Sequence, residues 1–254
     1  PQDPLFRSPR GSAAGCGWAS PVLVVQSGSM AFDGILVTEI FHSLQGETSH
    51  SGLRYAFIRL TGCNLRCTYC DSAYAFKGGK RMRISEVLDV IEPFRVRDVL
   101  LTGGEPLMQR QTIPLAEALH TKGYRVSMET HGEASLEHVP SFVRIVMDIK
   151  TPSSKMSRGG FESNFRFLKS GDEIKFVIAS PEDYTFARQW VQSGKLPAVA
   201  EVLISPVVPA LGSPGTFPGI DPRWLAEKMI DDRLPVRFQS QLHKAIWGAN
   251  RHGV

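Results

Sequence analysis

The sequence lacks two features that would each indicate a class of protein. It has no run of the roughly 18 to 20 apolar residues that a membrane-spanning helix needs, and the run from Pro21 to Val25 is too short for a signal-peptide core. Its 29 Lys and Arg residues exceed its 25 Asp and Glu residues, which gives a net charge of +4, but they form no polybasic segment. We therefore expect a cytoplasmic protein with no membrane partner and no direct nucleic-acid partner.

Cysteine is also scarce, since the chain of 254 residues has only four. This number does not indicate a disulfide framework. Three of the four, Cys63, Cys67 and Cys70, form a CxxxCxxC loop directly after an apolar run. Iron-sulfur clusters are usually held by four thiolates, so three would leave one iron free to bind a substrate or cosubstrate. Structural zinc is the alternative, but it needs four ligands, and no further Cys or His follows at finger-like spacing.

The first 29 residues differ in composition from the rest. Residues 1–29 are rich in Gly, Ser, Pro and Ala and have no hydrophobic periodicity. We expect them to form a disordered tail or a leader segment, which would make Cys16 a bystander. Residues 30–254 are long enough to bury one large core, and we expect them to form a single domain.

From Ile35 onward, apolar runs alternate with helical stretches. The runs have the length of strands and mostly lack polar alternation, which is typical of parallel strands covered on both faces. The alternation predicts an α/β fold, a partial (β/α) barrel with mostly parallel strands. The expected strands are 35–41, 55–60, 99–102, 124–128, 143–149, 174–178, 202–204 and 236–238, and the expected helices are 85–94, 112–122, 161–168, 182–192 and 222–231.

Polar segments follow most of the expected strands. In α/β folds of this kind the chemistry gathers on loops beyond the carboxyl ends of the strands, so we expect these segments to form one pocket around the cysteines. The paired glycines Gly103 and Gly104 leave backbone groups open to a ligand and so suit recognition of an amino-acid moiety, although a simple turn is the alternative. The segments are Cys63 to Cys70, Gly103 to Pro106, Glu129 to Gly132, Asp148 to Lys155, Ser205-Pro206 and Gln239 to Lys244.

Arg59 interrupts an otherwise apolar strand four residues before Cys63. A buried guanidinium needs an anionic partner. A carboxylated substrate is the sharper hypothesis for that partner, and a structural carboxylate is the alternative. His243 follows the last expected strand, and its location alone leaves a structural role open.

The CxxxCxxC loop and the Gly103-Gly104-Glu105-Pro106 loop together resemble the radical S-adenosylmethionine superfamily. Its three cysteines hold a [4Fe-4S] cluster, whose fourth iron is chelated by the amino and carboxylate groups of S-adenosylmethionine. More narrowly, the chain is similar to the family of 7-carboxy-7-deazaguanine synthases. The motifs behind this narrower resemblance are Leu44-Gln45-Gly46-Glu47, Arg59 to Cys67, Cys70-Asp71-Ser72, Thr102 to Pro106, Glu129-Thr130, Pro152 to Lys155 and Gln241 to Lys244.

The resemblance implies a carbon-nitrogen lyase that uses radical chemistry. Such an enzyme converts 6-carboxy-5,6,7,8-tetrahydropterin to 7-carboxy-7-deazaguanine with loss of ammonia, on the route to queuosine and other deazapurines. A 5'-deoxyadenosyl radical removes hydrogen from C6 of the pterin, and Mg²⁺ binds substrate oxygens. The resemblance further implies a homodimer and an electron donor such as flavodoxin. Two other readings stay open, namely a radical activase for a glycyl-radical protein and a zinc-stabilised binding module.

The resemblance also implies roles for particular residues. Cys63, Cys67 and Cys70 would hold the cluster, and Ser72 would bind Mg²⁺ where the family more typically has threonine. The residues implied for S-adenosylmethionine are Thr68, Tyr69, Gly104, Glu129, Asp148, Ile149, Lys150 and Ser205. Those implied for the pterin are Leu44, Gln45, Gly46, Arg59, Thr102, His243 and Val254, the last through its carboxylate or backbone.

Overall fold

The structure is a computed structural model that describes residues 34–207, 218–248 and 251–254. The expected tail of residues 1–29, with Cys16, lies outside the described residues. Within the described ranges, no helix is both long enough and apolar enough to cross a membrane. The described residues belong to one compact unit.

The centre of this unit is a sheet. Its strands are β1 (Ile35–Leu44), β2 (Arg54–Leu60), β3 (Lys80–Met82), β4 (Asp98–Gly103), β5 (Arg125–Thr130), β6 (Arg144–Ile149), β7 (Glu173–Ile178), β8 (Glu201–Pro206) and β9 (Arg237–Phe238). They lie in the order β3-β1-β2-β4-β5-β6-β7-β8-β9. β2 and the strands from β4 to β9 are parallel, whereas β1 is antiparallel to both of its neighbours. This arrangement confirms the expected α/β partial barrel.

Five α-helices accompany the strands in the described residues: α1 (Ile84–Ile91), α2 (Thr112–Thr121), α3 (Pro181–Gln192), α4 (Pro222–Asp231) and α5 (Leu242–Trp247). Local capping accounts for the starts of α3 and α4. The Ser180 side chain accepts a hydrogen bond from the backbone N–H of Asp183, and the Asp221 side chain accepts one from that of Arg223. In both helices proline occupies the first turn, where its missing N–H is not needed.

The segment expected to be an α-helix at 161–168 is instead a 3₁₀ helix from Phe161 to Phe167. Residues three apart eclipse each other in a 3₁₀ helix. Phe161 and Asn164 therefore both face inward, where the Asn164 carboxamide oxygen accepts a hydrogen bond from the backbone N–H of Leu136 at 2.9 Å. The two buried side chains are thus three residues apart, a spacing that fits a 3₁₀ helix, and the expected helical stretch is present as that type of helix.

One face of the sheet packs against the helices. Successive residues of a strand point to opposite faces, so alternate apolar side chains form this core. The outward side chains of the strands include Ile58, Leu101, Met128, Met147 and Phe176, and they share a cluster with Val87, Leu115, Leu119, Ala187 and Leu225 from the helices. The residues between them point to the inner face, which is where the polar side chains lie.

Candidate active site

The inner face of the sheet borders a cavity of about 230 Å³. Five neighbouring parallel strands each contribute at least one polar side chain to its wall. Strand alternation explains the set, because the apolar residues on either side of those in β2, β6 and β7 point toward the helices. These side chains are Arg59 on β2, Thr102 on β4, Glu129 on β5, Asp148 on β6 and Lys175 on β7.

Most of the residues implied by the family resemblance lie on this cavity. From the cysteine loop and its surroundings these are Cys63, Cys67, Tyr69, Cys70, Ser72 and Gly104. From the remainder of the chain they are Leu44, Gln45, Gly46, Arg59, Thr102, Glu129, Asp148, Lys150, His243 and Val254. The structure thus brings together residues separated by more than two hundred positions, although their individual roles stay predictions.

Three of the implied residues do not line the cavity. The Ile149 side chain is fully buried on the helix side of the sheet, so a contact to S-adenosylmethionine at this position would have to use the backbone. Ser205 is buried opposite Val177 in the pairing of β7 with β8. The Thr68 hydroxyl donates to the backbone oxygen of Ser153 at 2.5 Å, which ties the cysteine loop to the segment after β6.

The three cysteines of the loop are half-buried free thiols. Burial raises the pKa of each thiol, and that of Cys67 to about 11. Metal binding requires the thiolate form, so iron would take the place of these protons. Three thiols beside an open cavity are a donor set that fits a cluster with one iron left for a small ligand. Among the described residues, no three His, Cys, Asp or Glu side chains converge closely enough to hold a single metal ion.

The loop after β4 approaches the cysteine loop very closely. A Cβ atom on Gly104 would lie 2.2 Å from the backbone oxygen of Gly62 and 2.7 Å from Cβ of Cys63. The backbone N–H of Glu105 donates to that same oxygen of Gly62 at 2.8 Å. Glycine is therefore required at position 104 by the approach of the two loops, in addition to any contact with a ligand.

Glu105 and His131 connect the loops behind the cysteines. The fully buried Glu105 carboxylate accepts hydrogen bonds from the Thr130 hydroxyl and the His131 backbone N–H, both at 2.9 Å. Nδ1 of His131 accepts from the backbone N–H of Glu133 at 3.1 Å, so Nε2 carries the proton and donates to Oδ1 of Asn64 at 2.9 Å. These residues act as structural links among three loops.

Arg59 has a structural carboxylate as one partner, the alternative that the sequence left open. Its Nε donates to Oε1 of Glu39 at 2.7 Å, and its Nη1 donates to Oγ of Ser72 at 3.2 Å. Burial alone would lower the pKa of Arg59, but Tyr74 and Glu39 outweigh it and raise that pKa. The Ser72 hydroxyl in turn donates to Oδ1 of Asp71 at 3.1 Å. The hydroxyl implied for Mg²⁺ is thus positioned by a cation and an anion.

Lys175 is a functional candidate that no sequence motif indicated. Its buried ammonium lies 2.8 Å from Oε2 of Glu47 and 3.5 Å from Oδ2 of Asp148, and it also pairs with Glu129. Burial alone would lower the pKa of Lys175, but the carboxylates of Glu129, Glu47 and Asp148 raise it well above its ordinary value. Asp148 is shared with Lys150, whose Nζ is 3.0 Å from Oδ2. The only sequence signal was a lysine between two apolar strand residues.

The segment between β1 and β2 reaches the cavity from an unexpected direction. Because β1 is antiparallel to β2, Leu44 pairs with Arg54 at the amino end of β2. The next residues are held there by late parts of the chain, since the Ser49 backbone N–H donates to Oε1 of Glu173 at 2.9 Å. The expectation that the site is built from loops beyond the carboxyl ends therefore describes only part of it.

Helix α5 meets this segment. The Leu242 backbone N–H donates to the Gly46 oxygen at 2.8 Å, and a Cβ atom on Gly46 would lie 2.1 Å from Nδ1 of His243. At the next position, Nζ of Lys244 is 2.9 Å from Oδ2 of Asp71. This contact lowers the pKa of Asp71 to about 2, although burial alone would raise it. α5 thus connects the β1–β2 segment with the cysteine loop and places His243 between them.

Comparison with known proteins gives concordant results. A family model described as the radical SAM superfamily matches residues 57–169. The 7-carboxy-7-deazaguanine synthase of Koribacter versatilis is 41% identical over 225 residues, which cover 86% of this chain and 99% of that protein. The enzyme of the same name from Chlorobaculum tepidum is 38% identical and covers 86% of this chain and 96% of its own length. The crystal structure of QueE from Escherichia coli shares the fold, with a TM-score of 0.64 at 19% identity over 83% of this chain and 95% of that one.

Proposed function

Because this chain belongs to the family of 7-carboxy-7-deazaguanine synthases, within the radical S-adenosylmethionine superfamily, we propose that it converts 6-carboxy-5,6,7,8-tetrahydropterin to 7-carboxy-7-deazaguanine with loss of ammonia. The observation that carries the proposal is one cavity that joins three cysteine thiols to Arg59 and His243. A glycyl-radical activase and a zinc-stabilised binding module are not favoured, because the relatives that match nearly their whole length share a different name.

A [4Fe-4S] cluster held by Cys63, Cys67 and Cys70, together with S-adenosylmethionine, supplies the radical chemistry of this family. The protein's own contribution is to bind and orient the ligands and to exclude water. The backbone around Gly104, with Glu129 and Lys150, is assigned to S-adenosylmethionine. This assignment is supported by their shared position on the cavity wall beside the cysteines.

Arg59 is assigned to the carboxylate of the pterin. A guanidinium has five N–H donors, and in the described residues Glu39 and Ser72 each accept from one of them. The remaining donors are available to a carboxylate, and the Glu39 contact fixes the plane in which they lie. The Arg59 side chain also adds positive charge to the wall on which an anionic substrate must bind.

Ser72 is assigned to Mg²⁺, a hard cation that takes oxygen ligands. A hydroxyl oxygen has two lone pairs, and the guanidinium of Arg59 uses one of them. The other lone pair could bind the cation while the Ser72 hydroxyl keeps donating its hydrogen bond to Asp71. This arrangement supports the assignment of serine in place of the more typical threonine.

The remaining parts of the proposal rest on the family resemblance. We assign residues 30–254 to one radical S-adenosylmethionine core domain, in keeping with the compact unit to which the described residues belong. We also assign a homodimeric state and an electron donor such as flavodoxin. Sedimentation of the purified protein and reduction by purified flavodoxin test these two assignments.

The decisive experiment is anaerobic turnover of the reconstituted protein. With the carboxypterin, S-adenosylmethionine, reductant and Mg²⁺, we expect 7-carboxy-7-deazaguanine, detected by mass spectrometry, with no net loss of S-adenosylmethionine. Cys67→Ala is the control, and we expect it to hold no cluster and form no product. Absence of product from protein with an intact cluster would refute the proposal, and consumption of S-adenosylmethionine without pterin turnover would favour an activase.

A further inference from the structure

Lys175 contacts acidic side chains from three different parts of the chain. Glu47 follows β1, and Glu129 is the last residue of β5 whose side chain points to the inner face. Asp148 lies on β6, where it pairs with Lys175 in the strand register. Only 4% of the Lys175 side chain is exposed. An ammonium buried to this extent is stable only with compensating charge, and three carboxylates provide it.

The charge balance shows which carboxylates depend on Lys175. Asp148 has a second cation, because Lys150 lies 3.0 Å away. In the described part of the chain, Lys175 is the only cation that forms an ion pair with Glu47 or with Glu129. Removing the ammonium would therefore leave these two carboxylates without an ion-pair partner in the described part of the chain, although His243 would still act on Glu47.

The two dependent carboxylates come from different parts of the chain, and each has a second hydrogen-bond donor. Glu129, assigned to S-adenosylmethionine, also accepts a hydrogen bond at Oε2 from the Thr102 hydroxyl at 3.3 Å. Glu47 accepts at Oε1 from Nε2 of Gln241 at 2.9 Å and directly follows the residues assigned to the pterin. Lys175 occupies the other oxygen of each carboxylate. The ammonium of Lys175 thus sets the orientation of both carboxylates, that of Glu47 and that of Glu129.

We propose that Lys175 is a positioning residue of this active site, whose ammonium orients the carboxylates of Glu47 and Glu129 and so supports the binding of both the pterin and S-adenosylmethionine. The inference rests on the proposed function, since it uses the assignment of the two subsites. The test of the inference differs from that of the proposed function, because it measures dissociation constants and does not depend on product formation.

The experiment compares Lys175→Met with Lys169→Met as a matched control. Lys169 is also a lysine paired with a carboxylate, Asp172, but it precedes β7 and does not line the cavity. For each anaerobic, cluster-loaded protein, equilibrium dialysis gives the dissociation constant of S-adenosylmethionine and that of the carboxypterin. Iron content and unfolding temperature are recorded for each variant, so that a general loss of folding is recognised.

In Lys175→Met we expect both ligands to bind about tenfold to a hundredfold more weakly than in wild type, because a charged hydrogen bond is lost on each side. Lys169→Met should leave both constants within about twofold of wild type. Lys175→Arg keeps the charge and should restore part of both affinities, since a guanidinium can still donate to the carboxylates.

The dependence on pH separates positioning from a general structural role. Without the ammonium, Lys175 no longer lowers the pKa of Glu47, so this carboxylate is protonated more readily and then loses an acceptor oxygen. Raising the pH ionises Glu47 again, so the affinity of Lys175→Met for the carboxypterin should increase with pH while wild-type affinity changes little. Besides Glu47 and Glu129, the charged or titratable groups that face Lys175 and its partners are Asp148, Lys150, His243, Asp71, Tyr69 and Cys67.

Two results would overturn the inference. One is a folded, cluster-loaded Lys175→Met in which either ligand binds as in wild type. The other is weaker binding of both ligands with no recovery of carboxypterin binding at higher pH. If Lys175→Met does not fold, the double variant Lys175→Met with Glu47→Gln removes opposite charges together. In that protein S-adenosylmethionine should still bind weakly, because Glu129 still lacks the ammonium that orients it, and wild-type affinity would again refute the inference.

Discussion

The cysteine thiols owe their positions to residues that are not themselves ligands. Gly104 permits the loop after β4 to contact Gly62 and Cys63, while Glu105 and His131 fix that loop from behind. The backbone and buried side chains around the thiols thus fix the shape of the loop that carries them. A change of one methyl group at this contact should affect cluster binding more than it affects the fold.

Gly104→Ala tests this. The added methyl would lie within 3 Å of Gly62 and Cys63, so the cysteine loop must move. We expect iron content after reconstitution to fall to less than about half of the wild-type value, with a loss of about 1–3 kcal/mol in the free energy of unfolding. Iron analysis and urea unfolding of the apoprotein measure the two effects.

Gly123→Ala is the matched control. Gly123 has a φ of 86°, so alanine there is strained, but no atom lies within 4 Å of its Cβ position. We expect a loss of about 1–2 kcal/mol in stability with unchanged iron content. Full cluster occupancy in Gly104→Ala would show that the close approach is not needed for iron binding.

The role of a residue is easier to predict from the sequence when its partners lie close to it along the chain. The cysteines were recognisable because three ligands lie within eight residues. Lys175 was not, because Glu47 is 128 residues away and ordinary strands also contain lysine. Glu39, the partner of Arg59, was missed for a related reason. It lies on the neighbouring strand β1, and nothing in the sequence around it indicates that it pairs with an arginine on β2.

At the level of elements, hydrophobic runs located the main parallel strands, because these are covered on both faces. β3 was missed since its Lys80-Arg81-Met82 sequence is charged, as is typical of an edge strand. α5 was missed because six residues are too few to show a period. Short elements of this kind depend on tertiary contacts, and those of α5 are with Gly46, Glu47 and Asp71.

Lys244→Met should loosen α5 while leaving the sheet intact. The Lys244 side chain bridges to Asp71, which is half exposed, so we expect a change below about 1 kcal/mol in unfolding free energy. His243 would lose its fixed position against Gly46. We therefore expect KM for the carboxypterin to rise about threefold to tenfold, with KM for S-adenosylmethionine nearly unchanged. Steady-state kinetics with each substrate varied in turn measures the difference, and an equal rise in both constants would contradict it.

At the scale of the whole molecule, buried charge connects the β1–β2 segment to β5, β6 and β7. Lys175 and His243 hold the pKa of Glu47 well below its usual range, although burial alone would raise it. A carboxylate whose pKa is depressed by folding stabilises the protein above its unfolded-state pKa of about 4.3. That contribution is lost as the pH falls through the lower, folded-state value.

Glu47→Gln should therefore destabilise the protein in a pH-dependent way. Near neutral pH we expect a loss of about 3 kcal/mol, because Lys175 keeps its charge but loses one partner. Below about pH 4 the difference from wild type should shrink. Urea unfolding at a series of pH values measures it. Glu227→Gln, which removes an exposed pair with Arg223, should cost less than about 1 kcal/mol throughout. A constant difference for Glu47→Gln at all pH values would contradict the assignment.

The long reach of the segment after β1 has a consequence for protein synthesis. Asn64 and Thr68 of the cysteine loop find partners 67 and 85 residues further along the chain. Thr48 and Glu47 must wait for partners 191 and 194 residues away. Because a nascent chain folds from its amino end as it leaves the ribosome, the partners of the cysteine loop emerge well before those of the β1–β2 segment. A chain that is truncated before residue 239 would therefore keep the partners of the cysteine loop but lack those of Thr48 and Glu47.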